Sequence, residues 1–415
     1  MSEQIYNELR ERINEYSIGF NATASKVEIE ILTTLFSIEE ANMYMNLSRA
    51  LEPTQVIAEK SGLSEDTVIE ILTEMTRKGL TFPITRNDIR FFAAAPFIHG
   101  IFEHSAIAGA DNPQFKHLAK LMDQYFKGGF VPTGYTLRTI PVSEEIIPDT
   151  PLPVAPLDDV KKIIMSKTKI GLFDCACAVK TEALEQDCHQ KKEVCIGFDF
   201  YAEYAIEGLK SGRWITQEEA LEVINQAEED GLVHQIGGDS RNVEAICNCC
   251  KDCCGILSQM KQFPEPSLLA ATNYVVAFDV DDCVNCLSCV ERCPMDAITE
   301  EETSVMVNAK RCIGCGLCTS VCEPGALSLQ LKPKDQQTGI FDPANYRFMR
   351  STVDFEADIA KYESEVAGKY PSGKEDTIIT KSRRGGFHIR PKYGWNRLYD
   401  RNGFCPYGNK TGRNF

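Results

Sequence analysis

Two cysteine runs, Cys283, Cys286, Cys289, Cys293 and Cys312, Cys315, Cys318, Cys322, share the spacing C-x2-C-x2-C-x3-C. Every member of the second run stands 29 residues after its counterpart in the first, so the segment is an internal duplication. Thiolates spaced this way on tight turns reach several corners of one polynuclear metal centre, and the chemistry of such centres is one-electron transfer. A zinc ribbon, the other use of clustered cysteines, needs pairs of C-x2-C rather than two runs of four. Upstream lie nine more thiols, Cys175, Cys177, Cys188, Cys195, Cys247, Cys249, Cys250, Cys253 and Cys254, in the contexts CAC, DCHQKKEVC and CNCCKDCC. Neighbouring cysteines rarely meet disulfide geometry, so ligation is the first reading of these as well.

The segment 272–331 resembles the bacterial-type ferredoxin that carries two 4Fe–4S clusters. Pro294 follows Cys293 directly, as in that pattern, whereas Glu323 stands between Cys322 and Pro324. The resemblance implies one cluster on Cys283, Cys286, Cys289 and Cys322. It implies the other on Cys312, Cys315, Cys318 and Cys293, because the fourth cysteine of each run crosses to the other cube. No spacing among the nine central cysteines assigns a partition. They could close one further cluster, or two with a thiol to spare, or hold zinc with His189 and His234 as added ligands. The expectation is at least one further 4Fe–4S cluster, or zinc, within 170–262. Together with a winged-helix-like front, the CxC and CNCC motifs resemble a group of anaerobe iron–sulfur proteins over most of residues 48–330. Lys251-Asp252, between the two cysteine pairs of CNCCKDCC, departs from that group.

The elements that must position these thiols fall into an α+β, multidomain arrangement. Residues 1–130 read as a helical, winged-helix-like domain: a helix, a turn at Gly62, a second helix with Ser64 as N-cap and Val68, Leu72 and Met75 on one face, then a hairpin through Thr85–Asp88. Prolines at 132, 141, 148, 151, 153 and 156 make 131–169 an extended connector. Residues 170–270 form a cysteine-rich α/β domain, in which Thr216 and Glu219 read as a capping box and Gly231 as the helix stop. The two-cluster domain spans 271–333. Residues 334–415 read as an extended basic and aromatic segment. Its last 35 residues hold nine Lys or Arg against one acid, with Phe387, Tyr393, Trp395, Tyr399, Phe404, Tyr407 and Phe415, whereas the preceding 380 hold 35 basic and 59 acidic residues. Such a tail fits an acidic surface, of this chain, a sister subunit or a partner.

The chain of 415 residues has 18 cysteines, no apolar signal core and no run long enough to span a bilayer. That combination predicts a cytoplasmic protein with reduced thiols available as ligands. The formal net charge of −16 opposes bulk nucleic-acid binding. Ser64-Glu65-Asp66-Thr67, at the start of the would-be recognition helix, would repel phosphates, so DNA is disfavoured as a partner. There is no G-x4-G-K-[ST] loop, no G-x-G-x-x-G after a strand and no H-E-x-x-H. His99 and His104 read as core or interface residues rather than ligands, and Cys405 as structural. The function expected is an electron-transfer component of an anaerobic oxidoreductase, relaying electrons to or from a larger redox enzyme or carrier. A reductase acting at the central cysteines and a redox-sensing winged-helix regulator are the alternatives.

Overall fold

The computed structural model describes residues 2–16, 20–86, 89–109, 115–128, 130, 137–142, 159–186, 188, 191–237, 243–337, 352–369, 377–381 and 387–391. Among these, no helix is long and apolar enough to cross a membrane.

In the front domain, helices Ser2–Tyr16, Val27–Leu35 and Ile38–Met45 precede helices Thr54–Ser61 and Glu65–Arg77. Gly62, at φ 70°, turns the chain between the last two. The Ser64 hydroxyl accepts from Thr67 N–H at 3.2 Å and satisfies an amide that the helix leaves free. Val68, Leu72 and Met75 are fully buried, as their spacing predicts. Strands Thr81–Arg86 and Ile89–Ala94 pair antiparallel, with Glu52–Pro53 added at the edge. The tip of this hairpin, Asn87 and Asp88, lies outside the described residues. Helix Phe115–Gly128 buries Phe115, Leu118, Met122, Tyr125 and Phe126 along one stripe. It packs against the front helices and against two helices of the next domain, Ala176–Ala183 and Gly255–Gln262.

The middle domain is a six-stranded sheet in the order Leu137–Ile140, Val233–Gly237, Ala245–Cys249, Glu193–Phe198, Ile170–Asp174, Arg213–Ile215. Every pairing in it is antiparallel, so this domain is α+β rather than the α/β unit expected. Strand Glu193–Phe198 runs in the reverse direction beside Ile170–Asp174. Parts of the Pro-rich segment are built into this domain, since Leu137–Ile140 is an outer strand and Val160–Met165 is a helix on the sheet. Residues 131–136 and 143–158 of that segment lie outside the described residues.

Alternation along the strands sorts the side chains into two faces. Ile170, Leu172, Ile196 and Ile246 pack with Ile163, Ile164, Ala220 and Ile224 of the covering helices. Cys249 packs on the opposite side, with the front domain's core and with Cys247. Helix Gln217–Glu229 starts under the Thr216 hydroxyl, which accepts from Glu219 N–H at 3.2 Å. The Glu219 carboxylate does not return to the cap. It pairs with Arg213 at 2.6 Å, so the expected reciprocal box is a simple N-cap. Gly231, at φ 78°, follows the helix end.

The last cysteine-bearing domain is a small antiparallel pair, Tyr274–Phe278 with Leu327–Leu331, and a second pair, Ile298–Glu300 with Val305–Val307. Part of the segment expected to be extended from 334 onward is a helix, Thr352–Lys369, docked on the front domain. Leu51 N–H donates to Asp358 Oδ2 at 2.9 Å, Tyr362 meets Phe91 edge-on at 5.5 Å, and Ile359 is buried. Strands Thr377–Lys381 and Phe387–Pro391 pair antiparallel. The remainder of the basic aromatic tail, Cys405 included, lies outside the described residues.

Candidate metal centres

The duplicated segment wraps two cavities. The first is lined by Cys283, Cys286, Cys289 and Cys322 with Phe278 and Leu327. The second is lined by Cys312, Cys315, Cys318 and Cys293 with Val276 and Leu329. The fourth cysteine of each run thus lines the cavity of the other run. The duplication reaches the backbone. Asn285, Leu287 and Asp296 in the first half, and Gly314, Gly316 and Gly325 at the equivalent positions of the second, all take positive φ. Glycine is needed most at 314, where a Cβ would stand 2.4 Å from Tyr274 O.

Burial and backbone donors act on these thiols in opposite directions. Burial pushes Cys312, Cys315 and Cys318 upward, and Cys289 in the other cavity likewise, so ionisation there waits for a cationic partner. Backbone amides aim at sulfur: Ala297 N–H on Cys293 at 3.2 Å and Gly314 N–H on Cys312 at 3.4 Å. Donors of this kind stabilise charge on coordinated sulfur and tune its potential. Cys286, by contrast, is exposed, and the Ser288 amide draws its thiol down.

All nine central cysteines line one larger cavity, of about 690 Å³ including its mouth, against about 350 and 310 Å³ for the other two. Four elements supply six of them. Cys175 caps helix Ala176–Ala183 and Cys177 lies in its first turn. Cys195 comes from strand Glu193–Phe198, and Cys247 and Cys249 from Ala245–Cys249. Cys254 caps helix Gly255–Gln262 and accepts from Leu257 N–H at 3.5 Å. Gly255 itself must be small, because a Cβ would stand 2.9 Å from the Phe126 ring.

These six thiols form a closed ring of neighbours, running Cys175, Cys177, Cys254, Cys249, Cys247, Cys195 and back to Cys175. Contact with a neighbouring thiol, then burial, raises Cys175, Cys195, Cys249 and Cys254. Cys177 and Cys247 are lowered by the thiols that donate to them. The other three, Cys188, Cys250 and Cys253, stand together apart from the ring. Contact with Cys253 draws Cys250 down to about 6.

His234, a possible ligand by its place in the sequence, is not one. Its Nδ1 engages Asn248 at 2.6 Å and its Nε2 engages Glu228 at 3.1 Å, so both ring nitrogens are used. His189 lies outside the described residues. His104 is buried as expected, but neither ring nitrogen has a hydrogen-bond partner among the described residues, and burial pushes it down to about 3. His99, expected in the core or at an interface, lines the nine-cysteine cavity with Glu103. Burial pushes the Glu103 carboxyl up to about 7, against the pull of His99, whose Nδ1 stands 3.6 Å away. Glu103 carries no local sequence signal. Only the packing of helix Phe102–Gly109 on Ala176–Ala183 brings it to the thiols.

The central and duplicated regions touch. Lys251 Nζ donates to Glu291 O at 3.2 Å, and Arg292, beside Cys293, donates to the carbonyls of Glu228 and Glu229. Val142 N–H donates to Cys315 O at 3.0 Å from just beyond the edge strand of the middle sheet. Lys251, a departure from the CNCC pattern, is thus a tie between the two cysteine regions.

Comparison with known proteins places the duplicated segment. The 4Fe-4S dicluster domain matches residues 275–323. Ferredoxin-1 of Caulobacter vibrioides is 33% identical over 100 residues, 23% of this chain and 77% of that protein. Hydrogenase-4 component A of Escherichia coli is 34% identical over 87 residues, 20% of this chain and 41% of its own. A ferredoxin of Rickettsia felis is 39% identical over 49 residues, 11% of this chain and 45% of its own. The chain thus spans less than half the length of the last two relatives. No solved structure matches the chain.

Proposed function

Because the chain belongs to the ferredoxins through its 4Fe-4S dicluster domain, we propose that it relays single electrons between that domain and a further metal centre in the nine-cysteine cavity, to or from a larger redox enzyme. The clusters supply one-electron chemistry. Cys283, Cys286, Cys289 and Cys322 would hold one, and Cys312, Cys315, Cys318 and Cys293 the other. The chain's own residues bind through these thiolates, exclude water with Val276, Phe278, Leu327 and Leu329, and donate amide hydrogen bonds to sulfur.

The observation that carries this reading is the direct contact of CNCCKDCC with the ferredoxin domain through Lys251 and Glu291. Electrons passing between the two regions need no second protein. Docking of the redox partner would use the basic aromatic tail, whose charge complements an acidic surface. The winged-helix-like front packs rather than reads DNA, since its helix Glu65–Arg77 exposes Asp66 and Glu70. A second reading, a reductase acting at the central site, is favoured by the size of that cavity and by His99 and Glu103 in its wall.

The test is iron and acid-labile sulfide per chain, with electron paramagnetic resonance of the reduced protein, all without oxygen. More than about eight irons per chain, reducible together, is the expected result. Fewer than about eight would overturn the ferredoxin ligand sets. About eight would remove the central site from the relay. Turnover of a substrate by the isolated chain with an artificial donor would favour the reductase.

A further inference from the structure

The nine central thiols separate into six and three, and backbone parity is the first cause. Cys247 and Cys249 alternate with Asn248 along a strand, so Cys250 starts on the face of Asn248. Cys250 accordingly packs with Val194, Ala227 and Leu232, while Cys249 packs in the front core. The turn at 251–252 then returns Cys253 to Cys250 and passes Cys254 to the ring.

The sulfurs of Cys188, Cys250 and Cys253 all lie within 4.8 Å of one another. Among the described residues, no other three Cys, His, Asp or Glu side chains are so compact, and this includes the six-thiol ring and both ferredoxin cavities. The contrast is chemical. Thiolates on one cube are kept apart by the iron and sulfide between them. Thiolates sharing one tetrahedral ion at about 2.3 Å stand within about 4 Å of each other. Three sulfurs within 4.8 Å suit the single ion and leave no room for a cube.

We infer that Cys188, Cys250 and Cys253 form a separate mononuclear site for a thiophilic divalent ion of the zinc class, held by three thiolates and open at its fourth position. The inference rests on the reading that the ring and the ferredoxin cysteines carry the iron. Three soft thiolates select such an ion over a hard one. Three protein ligands are also the number found where a metal keeps an exchangeable position. Among the described residues no fourth ligand joins the group. Cys188 and Cys250 are half-exposed, which puts the open side within reach of a small exogenous ligand such as a thiol. The Asp252 amide, on Cys250 Sγ at 3.4 Å, supports the thiolate from the turn.

The test uses the full chain purified without oxygen, comparing wild type with Cys188→Ser, at a half-exposed position, and Cys253→Ser, at a buried one. The expected result is about one zinc per wild-type chain, lost in both variants with iron and labile sulfide unchanged. Cys188→Ser keeps the test decisive if Cys253→Ser fails to fold. Protein produced with cobalt(II) should show a thiolate-to-cobalt absorption band that shifts when a small thiol is added. Loss of about four irons in Cys188→Ser would overturn the inference by assigning the triad to a cluster. So would unchanged metal content in that variant, or a cobalt band that added thiol does not move. A wild type with about eight irons and one zinc would sink the central relay and leave the triad site standing.

Discussion

The two cysteine regions solve one problem in opposite ways. In the ferredoxin domain, eight thiols come from a 40-residue duplication, and each turn delivers three of them to one cavity by local geometry alone. In the middle domain, nine thiols come from helix starts, strands and turns spread over 80 residues, and the wall is completed by His99, Glu103 and Phe126 of the front domain. A local site tolerates change elsewhere in the chain. An assembled site depends on the packing of two domains and is exposed to every fault in it.

The largest test of this contrast is a pair of ligand substitutions. Cys315→Ser should remove about four irons and leave the central metal in place. Cys249→Ser should remove the iron of the six-thiol ring and leave the ferredoxin resonance signal intact. Loss of both signals in either variant would show that the two regions fold as one metal-dependent unit.

Acid should strike the assembled site first. His104, on the helix that walls the central cavity, has its folded value lowered by burial to about 3, below the ordinary 6.5. The folded chain holds this ring neutral, so stability is undiminished above about pH 6.5. As pH falls from there toward 3 the unfolded chain takes the proton first, and stability drops progressively. His104→Phe, among Phe82, Tyr201 and Tyr204, should flatten the acid limb of the denaturation curve. An unchanged acid limb would sink the assignment.

Gly314→Ala meets both a φ of 65° and the carbonyl of Tyr274, and should cost about 1–3 kcal/mol, read as a lowered Tm. Asn285, at the same place in the first half, already carries a side chain at φ 52°, so Asn285→Ala should cost less. Lys251→Ala should have the smallest effect on stability, within about 1 kcal/mol, because the contact is exposed. Its mark should be slower electron exchange between the two regions at unchanged iron content. Equal rates would place the path elsewhere, with Arg292 the next contact to remove.

Much of this was legible from residue order. The spacing of the duplicated cysteines, Ser64 as a cap, and Val68, Leu72 and Met75 as a buried stripe all depend on neighbours within a few positions. Other features depend on distant partners and escape such reasoning. His234 is free to bind metal on paper, but Asn248 and Glu228 occupy both its nitrogens. Glu219 has the spacing of a capping box, but Arg213 takes its carboxylate. Helix Thr352–Lys369 is hidden behind the composition of the charged, aromatic end that follows it.

By itself the sequence determined the ferredoxin domain, because a thiol spacing on tight turns is short-range information and survives in any context. Tertiary structure alone decided the division of CNCCKDCC into three ring thiols and two triad thiols, since that follows from the folding that brings Cys188 beside Cys250 and Cys253, Cys195 beside Cys247 and Cys177 beside Cys254. It also decided that His99 and Glu103 face those thiols. No spacing within the chain encodes that meeting; it comes from burying the Phe126 helix against the cysteine-bearing helices of the middle domain.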